Sequence, residues 1–226
     1  MPGGGGRRRR RRRPPPPEWS GFLSPESLPY RICLGIYVFA SLNLLIIACS
    51  LFVVTLPPGL AALFCVVRKL VRDEEPPVWR AFARYFVQNL KQSLLVGAFL
   101  AILYLLLFED VRVLIATGAA RSPALLAATV IACGLSILVS LYIFPLMAHG
   151  YFSLRQLVIG SVVVALYRPH LTAANLLILA GGLLVARRYP FLLLSCYFSL
   201  AAYMTYWFAE RKFRGLFPTP DREVKG

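Results

Sequence analysis

Long apolar blocks alternate with short charged segments along this chain of 226 residues. Charged residues are absent from 32–67, 92–108, 122–148, 171–186 and 189–209. A transmembrane helix needs about 20 apolar residues to cross a hydrocarbon core of ~30 Å, and most of these blocks reach or approach that length. The apolar runs are continuous rather than alternating, which favours membrane helices over a transmembrane β-barrel. The pattern therefore predicts an all-α, polytopic helical membrane protein.

The same pattern divides the chain into three parts. Residues 1–29 form a Gly/Arg/Pro-rich tail that we predict to be disordered, because its arginines repel one another and its prolines favour an extended chain. Such a tail suits an anchor on anionic lipid or a nucleic-acid-binding arm, and a start site placed too early would also produce it. Residues 30–210 are predicted to form a single transmembrane helical domain, and 211–226 a basic cytoplasmic tail.

Within the second part, residues 76–92 have the periodicity of an amphipathic helix. Its apolar positions are Trp79, Phe82, Phe86 and Leu90, and its polar positions are Arg80, Arg84, Gln88 and Lys91. A basic amphipathic helix is typical of an element that lies in a membrane interface, although an ordinary helix packed on other spans has the same pattern. The apolar block 92–108 follows without a break, so we expect one helix to run through both.

Five spans are predicted, at 31–56, 92–108, 123–148, 170–186 and 189–209. By the positive-inside rule the basic segment 68–91 and the C-terminal segment are cytoplasmic, with 150–168 at the cytoplasmic interface. Residues 58–71 are ambiguous, because six spans and a cytoplasmic N-terminus result if they cross. As a helix this segment would reach about 21 Å, short of the ~30 Å core, which favours five spans.

The ambiguous segment has a second copy. A shift of 87 residues aligns 58–71 with 145–158. The identical pairs are Pro58/Pro145, Ala61/Ala148, Arg68/Arg155, Leu70/Leu157 and Val71/Val158. An apolar run precedes each copy and another span follows it. The alignment predicts a parallel internal repeat whose unit is a span, a proline, an amphipathic helix and a second span.

Ionisable chemistry is sparse inside the apolar blocks. The chain is 58% hydrophobic and 15% charged with a net charge of +15, and its basic residues fall between the blocks. This placement indicates anionic lipid headgroups rather than nucleic acid as a partner. All ten acidic residues lie outside the blocks, which disfavours an ion-coupled transporter. The two histidines, His149 and His170, accompany no nucleophile, metal-binding or phosphate-loop motif, so we predict no enzyme, no cofactor and no metal site.

One segment, 42–97, carries a recognisable motif, which runs from Asn43-Leu44-Leu45 through LPPGLAALFCVVRKLVRDEEP to FARYFVQNLKQ. The matching residues are Asn43, Thr55, Pro58, Ala61, Ala62, Arg68, Lys69, Arg72, Glu75, Pro76, Phe82, Phe86, Asn89, Lys91 and Gln92. This segment resembles the YesL family, bacterial small integral membrane proteins classed as a domain of unknown function. The resemblance implies a bacterial cytoplasmic membrane and, because genes of the family often lie beside ABC-type carbohydrate uptake systems, an accessory role in that uptake. It implies no catalytic or ligand-binding residues.

Three functions fit these observations. The first, which we expect, is a non-enzymatic accessory or regulatory partner that contacts anionic headgroups or a membrane transport complex through its basic surface. The candidate contact residues are Arg68, Lys69, Arg72, Arg80, Arg84, Lys91 and Arg155. The second is a passive transporter or permease subunit for a small neutral solute, which needs a polar cavity between spans. The third is a membrane enzyme, which needs His149 or His170 beside an acidic group.

Overall fold

The computed structural model describes residues 28–72, 74, 77–116, 122–150, 152–189, 191 and 193–216. Nearly all of the predicted N-terminal tail lies outside this part. Within it the chain forms seven α-helices and no β-strand, which confirms the predicted all-α fold class. The helices are α1 (Leu28–Ser50), α2 (Leu56–Val71), α3 (Val78–Ala116), α4 (Pro123–His149), α5 (Leu154–Leu166), α6 (Pro169–Arg188) and α7 (Phe198–Leu216). A 3₁₀ turn at Val53–Thr55 precedes α2, and a π-helical turn at Leu193–Tyr197 precedes α7.

Five helices of the described part are long and apolar enough to cross a membrane: α1, α2 with its 3₁₀ turn, α3, α4 and α6. The number of candidate spans agrees with the five that the sequence predicts, but the helices are not the same five. Because α1 ends at Ser50 rather than at 56, the α2 element extends over Val53–Val71 and has 19 residues. By its length and composition this element can cross a membrane, whereas a helix over 58–71 alone would be too short to do so.

The predicted last span, 189–209, is not among these five helices. It is divided between the π-helical turn and α7, and α7 continues through four charged residues near its end. These residues are Glu210, Arg211, Lys212 and Arg214. Residues 211–216, which the sequence assigns to the basic tail, are therefore the last turns of a helix.

Helix α2 lies at the centre of the bundle, in contact with α3, α4 and α7. Nine of its residues are buried: Pro58, Gly59, Ala61, Ala62, Leu63, Phe64, Cys65, Val66 and Val67. A helix enclosed by several neighbours needs apolar side chains on most of its circumference, which explains the uninterrupted apolar run. Its first turn holds Pro57 and Pro58, where a missing N–H costs no helical hydrogen bond.

Helix α1 is divided between two compact units of the chain. Its first ten residues, up to Tyr37, belong to a unit of their own, and everything from Val38 onward belongs to a second, larger unit. In this larger unit the buried positions Val38, Leu42 and Ile46 recur every four residues and so form one face of the helix. The buried Asn43 lies beside this face, and its Oδ1 accepts hydrogen bonds from the backbone N–H groups of Phe198 (3.0 Å) and Ser199 (3.4 Å). Asn43 thus caps the N-terminus of α7, whose first N–H groups have no partner within their own helix.

The two aligned segments of the sequence repeat differ in conformation. Pro58 lies in the first turn of α2, and 58–71 is one continuous helix. Pro145 lies inside α4, and the helix ends four residues later, before Gly150 in an extended conformation (φ −167°, ψ 178°). Segment 145–158 therefore contains the end of α4, a break and the start of α5. The sequence repeat does not correspond to a repeated helix.

Helix α3 begins at Val78 and runs without interruption for 39 residues, which confirms that one helix continues from the amphipathic segment into the following apolar block. Its buried face was predicted only in part. Phe82 is buried, together with Val78, Asn89, Ser93 and Val96. Trp79 and Leu90, which we expected on the same face, are 48% and 37% exposed. The apolar arc of the sequence is wider than the area that α2 covers, so these two side chains lie on its uncovered edge.

The contact between α2 and α3 depends on a glycine. A Cβ atom added to Gly97 of α3 would lie 2.3 Å from Cγ of Pro57. A proline ring cannot rotate away, so we expect Gly97→Ala to force the helices apart and to destabilise the protein by about 1–3 kcal/mol. Thermal unfolding of the purified protein in detergent measures the change. Gly181→Ala in α6 is the matched control, because nothing lies within 4 Å of the added atom. Equal melting temperatures of the two variants would contradict this packing.

Candidate functional site

The first candidate residue, Arg68, caps the end of α4. Its Nη1 donates to the backbone oxygens of Ala148 (2.6 Å) and His149 (3.2 Å). These carbonyls are among the last of α4, and the extended Gly150 supplies no further turn of helix to pair with them. The guanidinium also places positive charge at the negative end of the helix dipole. Arg68 is half-buried and holds α2 against α4 through these bonds.

Arg72 lies one turn further along α2 and makes a second connection. Its Nε donates to Oε1 of Glu210 on α7 at 3.2 Å, and Nη2 of Arg214 lies 3.9 Å from the same oxygen. The Glu210 side chain is 8% exposed and that of Arg72 is 38% exposed, so the carboxylate is withdrawn from water while the arginine stays partly solvated. The His149 ring packs on Phe213 with centroids 4.7 Å apart, within electrostatic reach of Glu210 and Arg72. We call Arg68, Arg72, His149 and Glu210 the capping cluster.

Two ionisable residues of the bundle interior were missed by sequence reasoning. Glu210 is buried in the capping cluster, and Lys212 is completely buried nearby on α7. The sequence does contain a signal that the helix continues into this region. The buried positions of α7 at Ala202, Tyr206, Ala209 and Phe213 keep the helical spacing past the first charged residue. A reading that ends the helix at its first charged residue overlooks this continuation.

Lys69 belongs to an open groove at the junction of α2 and α3. Its Nζ pairs with Oε2 of Glu74 at 3.2 Å, and the backbone N–H of Glu74 donates to the Lys69 oxygen at 3.0 Å. The groove has a volume of about 330 Å³. Its lining consists of Lys69, Glu74, Pro77, Arg80, Ala81, Arg84 and Tyr85. The lining carries three cations against one carboxylate, which suits an anionic group.

Arg80, Arg84 and Lys91 form an exposed basic row on the first turns of α3. No salt bridge among the residues that the structure describes involves any of the three. A spacing of four and then seven residues keeps them on one side of the helix. The next stripe round the helix is an exposed apolar row, formed by Trp79, Ala83, Val87 and Leu90. Adjacent basic and apolar rows are the arrangement of a helix at the boundary between lipid tails and headgroups.

The last candidate, Arg155, is exposed in the first turn of α5. Ser153 and Gln156 form a capping box at that turn. Gln92 of α3 donates through Nε2 to the Phe152 oxygen at 2.6 Å, which brings the start of α5 close to the end of the basic row. Arg155 therefore differs from Arg68, its counterpart in the sequence repeat, because it caps no helix.

The seven candidates thus divide into three groups. Arg68 and the partly exposed Arg72 hold helices together, and Lys69 pairs with Glu74 in the groove. The remaining four are exposed and take part in no salt bridge among the described residues. Across the described ranges, no three side chains of the His, Cys, Asp or Glu type come together in a way that could hold a metal ion. The exposed cations can bind an acidic partner, and His170 is exposed at the start of α6.

The comparison with known proteins supports the resemblance that the sequence suggested. The family model described as "Protein of unknown function, DUF624" matches residues 39–111. "Uncharacterized protein YesL" of Bacillus subtilis (strain 168) is 30% identical over 156 residues, which cover 67% of this chain and 72% of that protein. The chain belongs to the YesL (DUF624) family. It is a multi-pass membrane protein, and no solved structure matches it.

The fold explains several residues of the YesL motif. Asn43 caps α7, Arg68 caps α4 and Gln92 binds the break before α5. Thr55 donates through Oγ1 to the Cys49 oxygen at 2.5 Å and so satisfies the end of α1. Each of these polar groups serves the backbone of another segment. The motif residues Glu75 and Pro76 lie outside the described part of the chain.

The ion pair between Arg72 and the buried Glu210 can be tested by a double-mutant cycle. Arg72→Met leaves the Glu210 carboxylate buried with only the more distant Arg214, so we expect a loss of about 2 kcal/mol of stability, since the partly exposed arginine weakens the pair. The additional change Glu210→Gln should recover part of this loss, and thermal unfolding in detergent measures both. The control is the exposed pair of Arg112 and Glu109, 3.5 Å apart, whose coupling should be near zero. Strictly additive effects of Arg72→Met and Glu210→Gln would show that the two residues do not interact.

Proposed function

We propose that this YesL-family protein is a non-enzymatic accessory partner of a carbohydrate uptake system of the ABC type, and that it engages the system through the basic row of α3. The observation that carries the proposal is the exposure of Arg80, Arg84 and Lys91 beside an equally exposed apolar row. Three long cations on one side of a helix form a surface that attracts an acidic partner.

The other polar residues of the bundle have a different task. The capping cluster joins α2, α4 and α7, and Asn43 and Gln92 satisfy backbone groups of other segments. These residues are engaged in contacts within the fold, whereas the basic row is exposed and takes part in no salt bridge of the described residues. A role in binding therefore suits the accessible chemistry of the described part better than a role in catalysis.

The neighbouring apolar row supports a location of this surface at the membrane boundary. Tryptophan is enriched at that level, and the apolar stems of arginine and lysine can lie along lipid while their charges reach the headgroups. Anionic headgroups are then natural neighbours of the basic row, and a membrane-embedded transport complex can reach it from the side. The carbohydrate context comes from the family resemblance, which implies a neighbourhood with such uptake genes.

Charge reversal tests the proposal directly. We expect the combined substitution Arg80→Glu, Arg84→Glu and Lys91→Glu to lower co-purification with the permease and ATPase subunits of a co-expressed carbohydrate uptake system by about tenfold or more, since like charges then face each other. The matched control is Arg187→Glu with Arg188→Glu, an exposed basic pair in the last turn of α6, which should leave co-purification unchanged.

Reconstitution separates a protein partner from a lipid one. The association should persist in nanodiscs of zwitterionic lipid, because the acidic groups that bind the row belong to the transport complex. Association that requires anionic lipid would show that the row binds headgroups instead. Unchanged co-purification of the charge-reversed variant would overturn the proposal.

A further inference from the structure

Lys212 is a lysine in the interior of the bundle, on the last turns of α7, with no exposed surface. Its Nζ donates to the Tyr142 hydroxyl of α4 (3.1 Å), to the Val164 oxygen of α5 (3.0 Å) and to the Thr172 hydroxyl of α6. The ammonium also lies 4.5 Å from the centre of the Tyr142 ring. One side chain therefore connects four helices.

The oxygens around Lys212 come from backbone and hydroxyl groups. Val164 and Ala165 provide two of the last carbonyls of α5, which have no partner in their own helix. The Thr172 hydroxyl donates to the Ala165 oxygen at 2.7 Å, and the Tyr142 hydroxyl donates to Thr172 at 3.3 Å. With both hydroxyl protons used in this way, three acceptors remain for the three N–H groups of an ammonium. The charged form thus completes the hydrogen-bond network.

The same site also accommodates a neutral amine. A hydroxyl can rotate its proton, so Tyr142 can donate to the lone pair of Nζ while the two remaining N–H groups bind oxygens. A cage made only of carbonyls would lack this freedom. The geometry therefore supports two protonation states of Lys212 with different hydrogen-bond directions.

Charged neighbours do not fix the choice between these states. In the described part of the chain, no carboxylate lies within salt-bridge distance of Lys212. The carboxylate of Glu210, two residues away, pairs instead with Arg72 and Arg214. On the other packed elements, α2 contributes Arg68 and Arg72 and α4 contributes His149, all in the capping cluster. Helix α5 carries Arg155 at its far end, and Arg168 lies over the Tyr167 ring just before α6. Helix α6 carries the exposed His170 in its first turn and Arg187 and Arg188 in its last turn. Burial is thus the main influence, and it lowers the pKa of Lys212 from 10.5 to about 8.

We propose that Lys212 is a buried proton-binding site, and that its protonation sets how firmly α5 and α6 close on α4 and α7. Local opening brings water to the side chain, so the open form binds the proton more tightly than the closed form. Between about pH 8 and 10.5 the open form carries more protons than the closed one. A rising pH therefore favours the closed arrangement, and protonation at lower pH loosens it. This site is independent of the basic row of α3.

The protonation of Lys212 can be observed in the unaltered protein. The chain has four lysines, Lys69, Lys91, Lys212 and Lys225. Labelling their Cε atoms with ¹³C gives four resonances in the detergent-solubilised full chain. We expect one resonance to titrate near pH 8 and to disappear in Lys212→Met. Titration of Lys212 at the ordinary pKa of lysine would overturn the proposed site.

Hydrogen exchange then tests the coupling to the helices. The amide exchange rates are first corrected for intrinsic base catalysis. The equilibrium constant for opening of 154–172 should then fall about tenfold from pH 7 to pH 9, as linkage requires if the pKa of Lys212 is about 8 in the closed form and 10.5 in the open form. Lys212→Met should abolish this dependence, and His170→Gln, which alters an exposed group near Thr172, should retain it. Exchange that is independent of pH in the unaltered protein, while Lys212 titrates near pH 8, would refute the coupling.

Discussion

The fold of this protein depends on the end of α4. The helix stops within the bundle at an extended Gly150, and its last carbonyls would remain unsatisfied without a donor from elsewhere. A buried carbonyl without a partner costs about 1–3 kcal/mol. Arg68 supplies the donor from α2, which must therefore lie against the end of α4. This contact holds α2, which also packs on α3 and α7, against the end of α4.

The same physical rule recurs at other helix ends. Asn43 reaches from α1 to the N-terminus of α7, Lys212 reaches from α7 to the C-terminus of α5, and Gln92 binds the break before α5. In each case a polar side chain of one helix satisfies the backbone of another. An apolar bundle gains little from the hydrophobic effect inside lipid, so such contacts contribute a larger share of its specificity. Several polar residues of the motif, Asn43, Arg68 and Gln92 among them, here join one helix to another segment.

The sequence was sufficient for the fold class, the family and the continuity of α3, because these rest on long apolar runs and on a dense motif. It was insufficient wherever the answer depended on which neighbour covers a side chain. Arg68 and Arg155 occupy equivalent positions of the repeat, yet one caps a helix and the other is exposed. Trp79 and Phe82 share an apolar arc, yet α2 covers only part of it. Lys212 and Glu210 looked like the start of a tail because charge usually marks the end of a span.

The candidate site was predicted in the same uneven way. The seven basic residues were chosen as candidates from their charge alone. The sequence does not show which of them are exposed and which bond to a neighbouring helix. Their division into capping and exposed residues needed the distances from Arg68 to α4 and from Arg72 to α7. This division is the reason that we propose binding for the basic row of α3 and expect stability to depend on the capping cluster.

The most direct test of this account compares the two arginines of the repeat. Arg68→Met keeps an apolar stem of similar length but leaves the end of α4 without its donor, and Arg155→Met removes an exposed charge. Thermal unfolding of both variants in detergent measures the difference. The account predicts that Arg68→Met loses about 2–3 kcal/mol while Arg155→Met stays within about 0.5 kcal/mol of the unaltered protein. Equal stability of the two variants would contradict it.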